Sequence, residues 1–260
     1  MASPQTSRRI IFGVCALIFL VAAATTIRWH GSMPGMAAMP MCDGGSMAMI
    51  WMRMPGQTWA GTAASFLGMW IVMMAAMMMP SLAPMLWRYR QGAADANQMP
   101  PAPLTAVVAT GYFFVWAALG LAIFPLGAAL SAARMRLSLP ESTVSSLVAI
   151  IVILAGALQF TAWKAHHLAR CRRMPARGPI ARANIGTAWR HGLRLGLHCV
   201  YSCGGLTAAL LVIGVMDLRA MAAATVAITA ERLAPCGERV ARVVGSIALG
   251  GGCLLIARAA

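Results

Sequence analysis

The sequence predicts an all-α fold, a polytopic transmembrane helical bundle of about seven spans. Its 260 residues are 60% hydrophobic and only 10% charged, with a mean hydropathy of +0.74. Soluble domains carry about 25% charged residues, so the composition argues against one. The apolar residues also fall into runs near the ~20 residues that cross a bilayer core. A net charge of +15 gathers between those runs, where it meets lipid headgroups rather than nucleic acid. The same numbers exclude a disordered chain, a coiled coil and a secreted disulfide scaffold.

Arg8 and Arg9 precede the first run, Ile10 to Ile27. No small-x-small cleavage pattern follows it convincingly, so it reads as an uncleaved span. Residues 28–58 form a loop rich in Gly, Pro and Met. The second span runs from Trp59 to Met79, with Pro80 and Pro84 ending it. The third is Leu104 to Leu130, the fourth Val144 to Trp163, and a basic stretch from Lys164 to Arg194 follows. Leu195 to Met216 makes the fifth span, Ala220 to Leu233 the sixth and Val240 to Ile256 the seventh. The sixth has only 14 residues; it is tilted, extended by its flanks, or re-entrant, which would leave six spans. The chain thus divides into residues 1–58, a first span plus Met-rich loop, and residues 59–260, the bundle. With the N-terminus inside, fifteen basic residues face the cytoplasm and six face outward. That bias orients a multi-pass protein with its N-terminus cytoplasmic and the Met-rich loop outside; a bacterial inner membrane is the expected location.

The outer loop holds Met33, Met36, Met39 and Met41 among eight methionines, with Cys42 beside them. Thioethers are soft donors suited to Cu(I), and these spacings let neighbouring sulfurs converge. The bland alternative is a loop lying on lipid. In the second span Met69, Met73 and Met77 recur every four residues as one stripe, and Met74 and Met78 form another beside it. A methionine stripe is usually core packing, but cysteines ahead alter that balance. Cys199 and Cys203 stand i and i+4 on the fifth span, so both thiols share a face and can hold one soft ion. His198 and Ser202 form the adjoining pair. Buried cysteines are also ordinary core residues. His167 and Cys171 repeat the i, i+4 spacing where the fourth span leaves the membrane, a workable pair for copper or zinc. A solvated basic loop on anionic lipid explains that region equally. Glu231 near the inner end of the sixth span and Asp217 at its outer turn are candidates because acids in apolar segments are costly. An interfacial pair of Glu231 with Arg232 is the structural alternative.

The segment Met69-Trp70-x-x-Met73-x-x-Ala76-Met77-Met78-x-Pro80 resembles the hallmark of the predicted metal-binding integral membrane proteins, a bacterial family. Lys164 to Pro175, Gly192 to Gly204, and Gly214 through Glu231-Arg232 are similar to further blocks of that family, in the same order. Together they cover about residues 60 to 255. The resemblance implies a metal-binding membrane bundle. This chain departs from it where His167 replaces a cysteine, Ser202 one of two adjacent cysteines, Gly204 a Trp, Asp217 an Asn and Arg219 a Trp.

The function these features favour is copper handling: Cu(I) held through Met, Cys and His ligands, with zinc as an alternative ion and a periplasmic copper-binding protein as the expected partner. Two rivals remain open. One is a membrane thiol or metal-dependent oxidoreductase built on Cys199 and Cys203; the other is an accessory subunit whose methionines merely pack. No phosphate-binding glycine loop, metalloprotease helix or nucleophile elbow is present in the sequence.

Overall fold

The apolar runs fold as helices, and several continue well past the residues their hydropathy marks. The computed structural model describes residues 4–32, 38–40, 46–48, 51, 56, 58–95, 100–137, 140–172, 184–214 and 217–259. Helix α1 covers Pro4–Ser32 and α2 Trp59–Asp95. Between them two short strands, β1 (Ala38–Pro40) and β2 (Ser46–Ala48), pair antiparallel with Met39 opposite Met47. Then come α3 (Pro101–Leu137), α4 (Glu141–Leu158), α5 (Ala162–Arg172), α6 (Ile185–Gly214), α7 (Leu218–Leu233) and α8 (Gly237–Ala259).

Five of these helices, α1, α2, α3, α6 and α8, are long and apolar enough to cross a membrane. A sixth crossing arises if α4 and α5 are one span, bent by 65° at the break between them. The expected count of about seven is corrected accordingly. The short sixth segment, α7, has 16 residues, fewer than the ~20 a crossing needs.

Two further boundaries differ from the sequence reading. Pro80 and Pro84 lie inside α2, which continues to Asp95. Each proline removes one backbone hydrogen bond, but the turns around them are buried on several sides, with Met79, Leu82, Ala83 and Leu86 in the core. Packing of that kind holds a helix through a proline inside a bundle. Likewise α6 starts at Ile185 rather than Leu195, so Arg190, His191 and Arg194 lie on a helix. Its start is fixed by reciprocal capping: the Thr187 amide donates to Asn184 Oδ1 at 2.9 Å, and the Asn184 amide to Thr187 Oγ1 at 3.2 Å. Asp217 has a similar task, its carboxylate accepting from the amides of Arg219 and Ala220 at the start of α7. That cap accounts for the acid without chemistry.

The core is centred on α2, α3 and α6. The Trp70 indole on α2 donates to the Trp116 carbonyl of α3 at 2.9 Å, tying the two helices together. Helices α3 and α6 approach until their backbones touch, and a Cβ added at Gly192 would stand 2.4 Å from the Val108 carbonyl oxygen. Only glycine permits that distance. Cys199 lies two turns beyond Gly192 on the same face, and Tyr112 follows Gly111 on α3, so this contact sets where the two side chains meet. Both methionine stripes of α2 are buried, with Met73, Met74, Met77 and Met78 in the core and Met69 partly exposed. Helix α8 packs antiparallel on α4, as Gly156 meets Gly245 while Gly252 meets Ala149 and Ile153. The chain therefore returns along α7, bringing Glu231 and Arg232 back toward α5.

Candidate metal centre

Cys199 and Cys203 occupy successive turns of α6, both fully enclosed. Their sulfurs are 3.6 Å apart and both thiols are free. A disulfide needs about 2.05 Å, so the pair is neither bonded nor aligned for bonding. The Cys203 thiol donates to the Cys199 carbonyl at 2.9 Å, the bond a helical cysteine makes back along its own turn. Two groups from other helices reach Cys199. The Tyr112 hydroxyl of α3 lies 3.0 Å from its sulfur, and the Met78 thioether of α2 lies 3.9 Å away. Sulfurs sharing one ion at a metal–sulfur distance of about 2.3 Å stand roughly 3.8–4.0 Å apart. Of the two separations from Cys199, 3.9 Å to Met78 falls within that range and 3.6 Å to Cys203 lies just below it.

The level of this cluster follows from helix lengths. Cys199 sits 14 residues into the 30 of α6, and Met78 lies 19 residues into the 37 of α2. At ~1.5 Å per residue both are close to the midpoints of their helices. The cluster lies midway along both helices.

A second layer of charge borders the sulfurs. Lys164 of α5 and Glu231 of α7 form an ion pair at 2.7 Å, with side chains 5% and 2% exposed. The ammonium also donates to the Ser202 carbonyl, which couples the pair to the turn carrying Cys199 and Cys203. Glu231 thus pairs with Lys164 inside the bundle, not with Arg232 at an interface. Arg232 is buried as well, donating to Ser81 Oγ at 3.1 Å and reaching Cys171 Sγ at 3.7 Å. Its Nε has no hydrogen-bond partner, and no carboxylate stands within ion-pair distance of it among the described residues.

The remaining candidates separate into other places. Cys171 turns toward Ser202 Oγ at 3.8 Å and toward Arg232. His167 meets His198 instead, Nδ1 to Nδ1 at 3.1 Å, both rings partly exposed, with Trp163 and Tyr201 packed against His167. The i, i+4 spacing of His167 and Cys171 therefore does not bring those two side chains together. Met73 and Met77 belong to the same buried core as the two thiols, but Met78 is the α2 methionine whose sulfur touches Cys199. Met33, Met36 and Met41 lie outside the described residues, and Met39 is placed only by its backbone in β1. Among the described residues no three His, Cys, Asp or Glu side chains converge on one point. What converges is two thiols, one thioether and a phenol.

Tyr112, beside Cys199, and Arg232, beside Cys171, are neighbours of the cysteines that sequence patterns did not single out as site residues. A tyrosine in an apolar span carries no signal by itself. Arg232 does carry one, since a cation in an apolar bundle demands a reason.

A cluster of buried sulfur donors midway along the helices of an all-helical bundle is the kind of donor set that suits a soft metal ion. The family follows. The family model described as "PpoB2: Copper chaperone" matches residues 67–255, and the chain belongs to that family. That match is consistent with the metal-related bacterial family that the Met69 to Pro80 segment resembles. The match includes Met73, Met78, Cys199, Cys203 and Arg232, and it leaves out the methionines of residues 33–54. No curated protein and no solved structure matches the chain.

Proposed function

We propose that this protein is a multi-pass carrier of Cu(I) in a bacterial inner membrane. It holds the ion between Cys199, Cys203 and Met78 and passes it on. The observation that supports this most is the sulfur geometry: two thiols and a thioether from two helices, buried at separations that suit one shared ion. Thiolate and thioether donors favour Cu(I) over harder ions. Met73 and Met77 lie in the same buried core and extend the soft lining of α2 toward its start, with Met69 a further turn away. The partly exposed His167–His198 pair suits a borderline ion such as zinc or copper and fits a docking point where the ion enters or leaves. The fifteen-to-six distribution of basic residues supports a cytoplasmic N-terminus and an outward-facing loop containing Met33, Met36, Met39 and Met41. That loop would collect copper from a periplasmic copper-binding protein.

Elemental analysis of detergent-purified protein tests this reading. Cells grown with added copper should yield about one copper per chain in the buried site, reflecting a single set of converging sulfurs. Replacing Met33, Met36, Met39 and Met41 by Leu keeps their apolar volume and removes only the thioethers. The quadruple variant should keep the buried copper and lose weaker, additional binding. Protein without copper, or a Cys199–Cys203 disulfide that turns over with a quinone, would overturn the carrier and put an oxidoreductase in its place.

A further inference from the structure

Outside the sulfur centre, α5 and α6 bring two imidazoles together. Nδ1 of His167 and Nδ1 of His198 stand 3.1 Å apart, and both rings are partly exposed. Three further rings crowd His167, with centroids 4.7 Å away for Trp163, 4.9 Å for Tyr201 and 5.3 Å for His166. Packing of this kind holds the imidazole in its orientation before any ligand arrives. A hydrogen bond between two accessible imidazoles contributes little, because water offers each ring the same bond. Two ring nitrogens from different helices, aimed at one point, are also what a metal ion requires.

The separation selects the ion. At a metal–nitrogen distance of about 2.0–2.1 Å, nitrogens this far apart subtend roughly 95–102° at the metal. That is a cis pair, suited to tetrahedral zinc or to neighbouring positions of square-planar Cu(II). Two-coordinate Cu(I) instead sets its donors on opposite sides, roughly 4 Å apart. We infer that His167 and His198 form a second metal site, which takes a borderline divalent ion such as Zn(II) or Cu(II) and clips α5 to α6. The assignment rests on the reading of the pair as an ion-docking point, and adds that its occupant is divalent and distinct from the Cu(I) of the sulfur centre. Both ligands are neutral, and Arg170 and Arg194 stand one turn away on their own helices, so water or an anion fills the remaining positions.

The test uses full-length, detergent-purified protein without a histidine tag, titrated with Co(II) as a coloured stand-in for Zn(II). Wild type should show the d–d bands of Co(II) held by nitrogen and oxygen, and Cys203→Ser should keep them while losing copper. His167→Ala and His198→Ala should each weaken Co(II) binding about tenfold or more. Both side chains are partly exposed, so folding should survive, and His167→Ala carries the test if the change beside Cys199 disturbs the helix. Zn(II) at about a hundred times its dissociation constant should raise the melting temperature by roughly 5–10 °C in wild type and leave His167→Ala unmoved. No binding up to about 1 mM Co(II), or an unchanged affinity in His167→Ala, would mean that the imidazoles only hydrogen-bond and would overturn the site. Bands that disappear in Cys203→Ser would put the divalent ion among the sulfurs and overturn it too. Copper content that survives Cys203→Ser would overturn the buried centre and leave the histidine site standing.

Discussion

Glu231→Gln should destabilise the bundle by about 3–5 kcal/mol, the cost of removing one partner from a buried ion pair. The ammonium of Lys164 lies 2.7 Å from that carboxylate and is almost wholly enclosed. A neutral amide leaves it charged, buried and without compensation. With ~2–4 °C of melting temperature per kcal/mol for a chain of this size, thermal unfolding in detergent should shift down by roughly 10 °C. The contrast is the double variant Lys164→Met with Glu231→Met. Replacing both charges by apolar groups of similar length is often neutral, so most of the loss should return. If the double variant unfolds as early as Glu231→Gln, the pair acts through something other than its charges.

Cys203→Ser should cost most of the copper. The substitution preserves size and the hydrogen bond to the Cys199 carbonyl, 2.9 Å away, but exchanges a soft thiolate for a hard hydroxyl. Cys199→Ser should be at least as severe, because Cys199 is the sulfur that touches Cys203, Met78 and Tyr112 at once. Met78→Leu removes one neutral donor and keeps its volume, so copper should be retained more weakly. Folding should be unaffected in all three, which circular dichroism checks. Copper content that ignores Cys203→Ser would move the site away from α6.

The helical class was legible because the apolar runs leave no other option, and the i, i+4 cysteines were legible because helical periodicity alone puts them on one face. Helix ends were harder. Pro80 and Pro84 stop helices that stand in water, but in α2 the buried turns on both sides of them hold the helix together. The start of α6 was hidden under a run of arginines that reads as loop, while its true signal was the Asn184–Thr187 capping pair. Register was harder still. The stripes Met69, Met73, Met77 and Met74, Met78 lie side by side, and periodicity cannot say which of them faces α6. The meeting of Lys164 with Glu231, and of Cys171 with Arg232, depends on the bend between α4 and α5 and on the return of α7. Neither is encoded locally.

A carrier of this kind holds its copper among sulfur atoms in the middle of the bundle. Copper K-edge X-ray absorption on copper-loaded, detergent-purified wild type addresses it most directly. The spectrum should show Cu(I) with a shell of two or three sulfurs at about 2.3 Å and no dominant nitrogen or oxygen shell. A shell dominated by nitrogen or oxygen would place the ion at the His167–His198 pair or elsewhere and rule out the buried sulfur site.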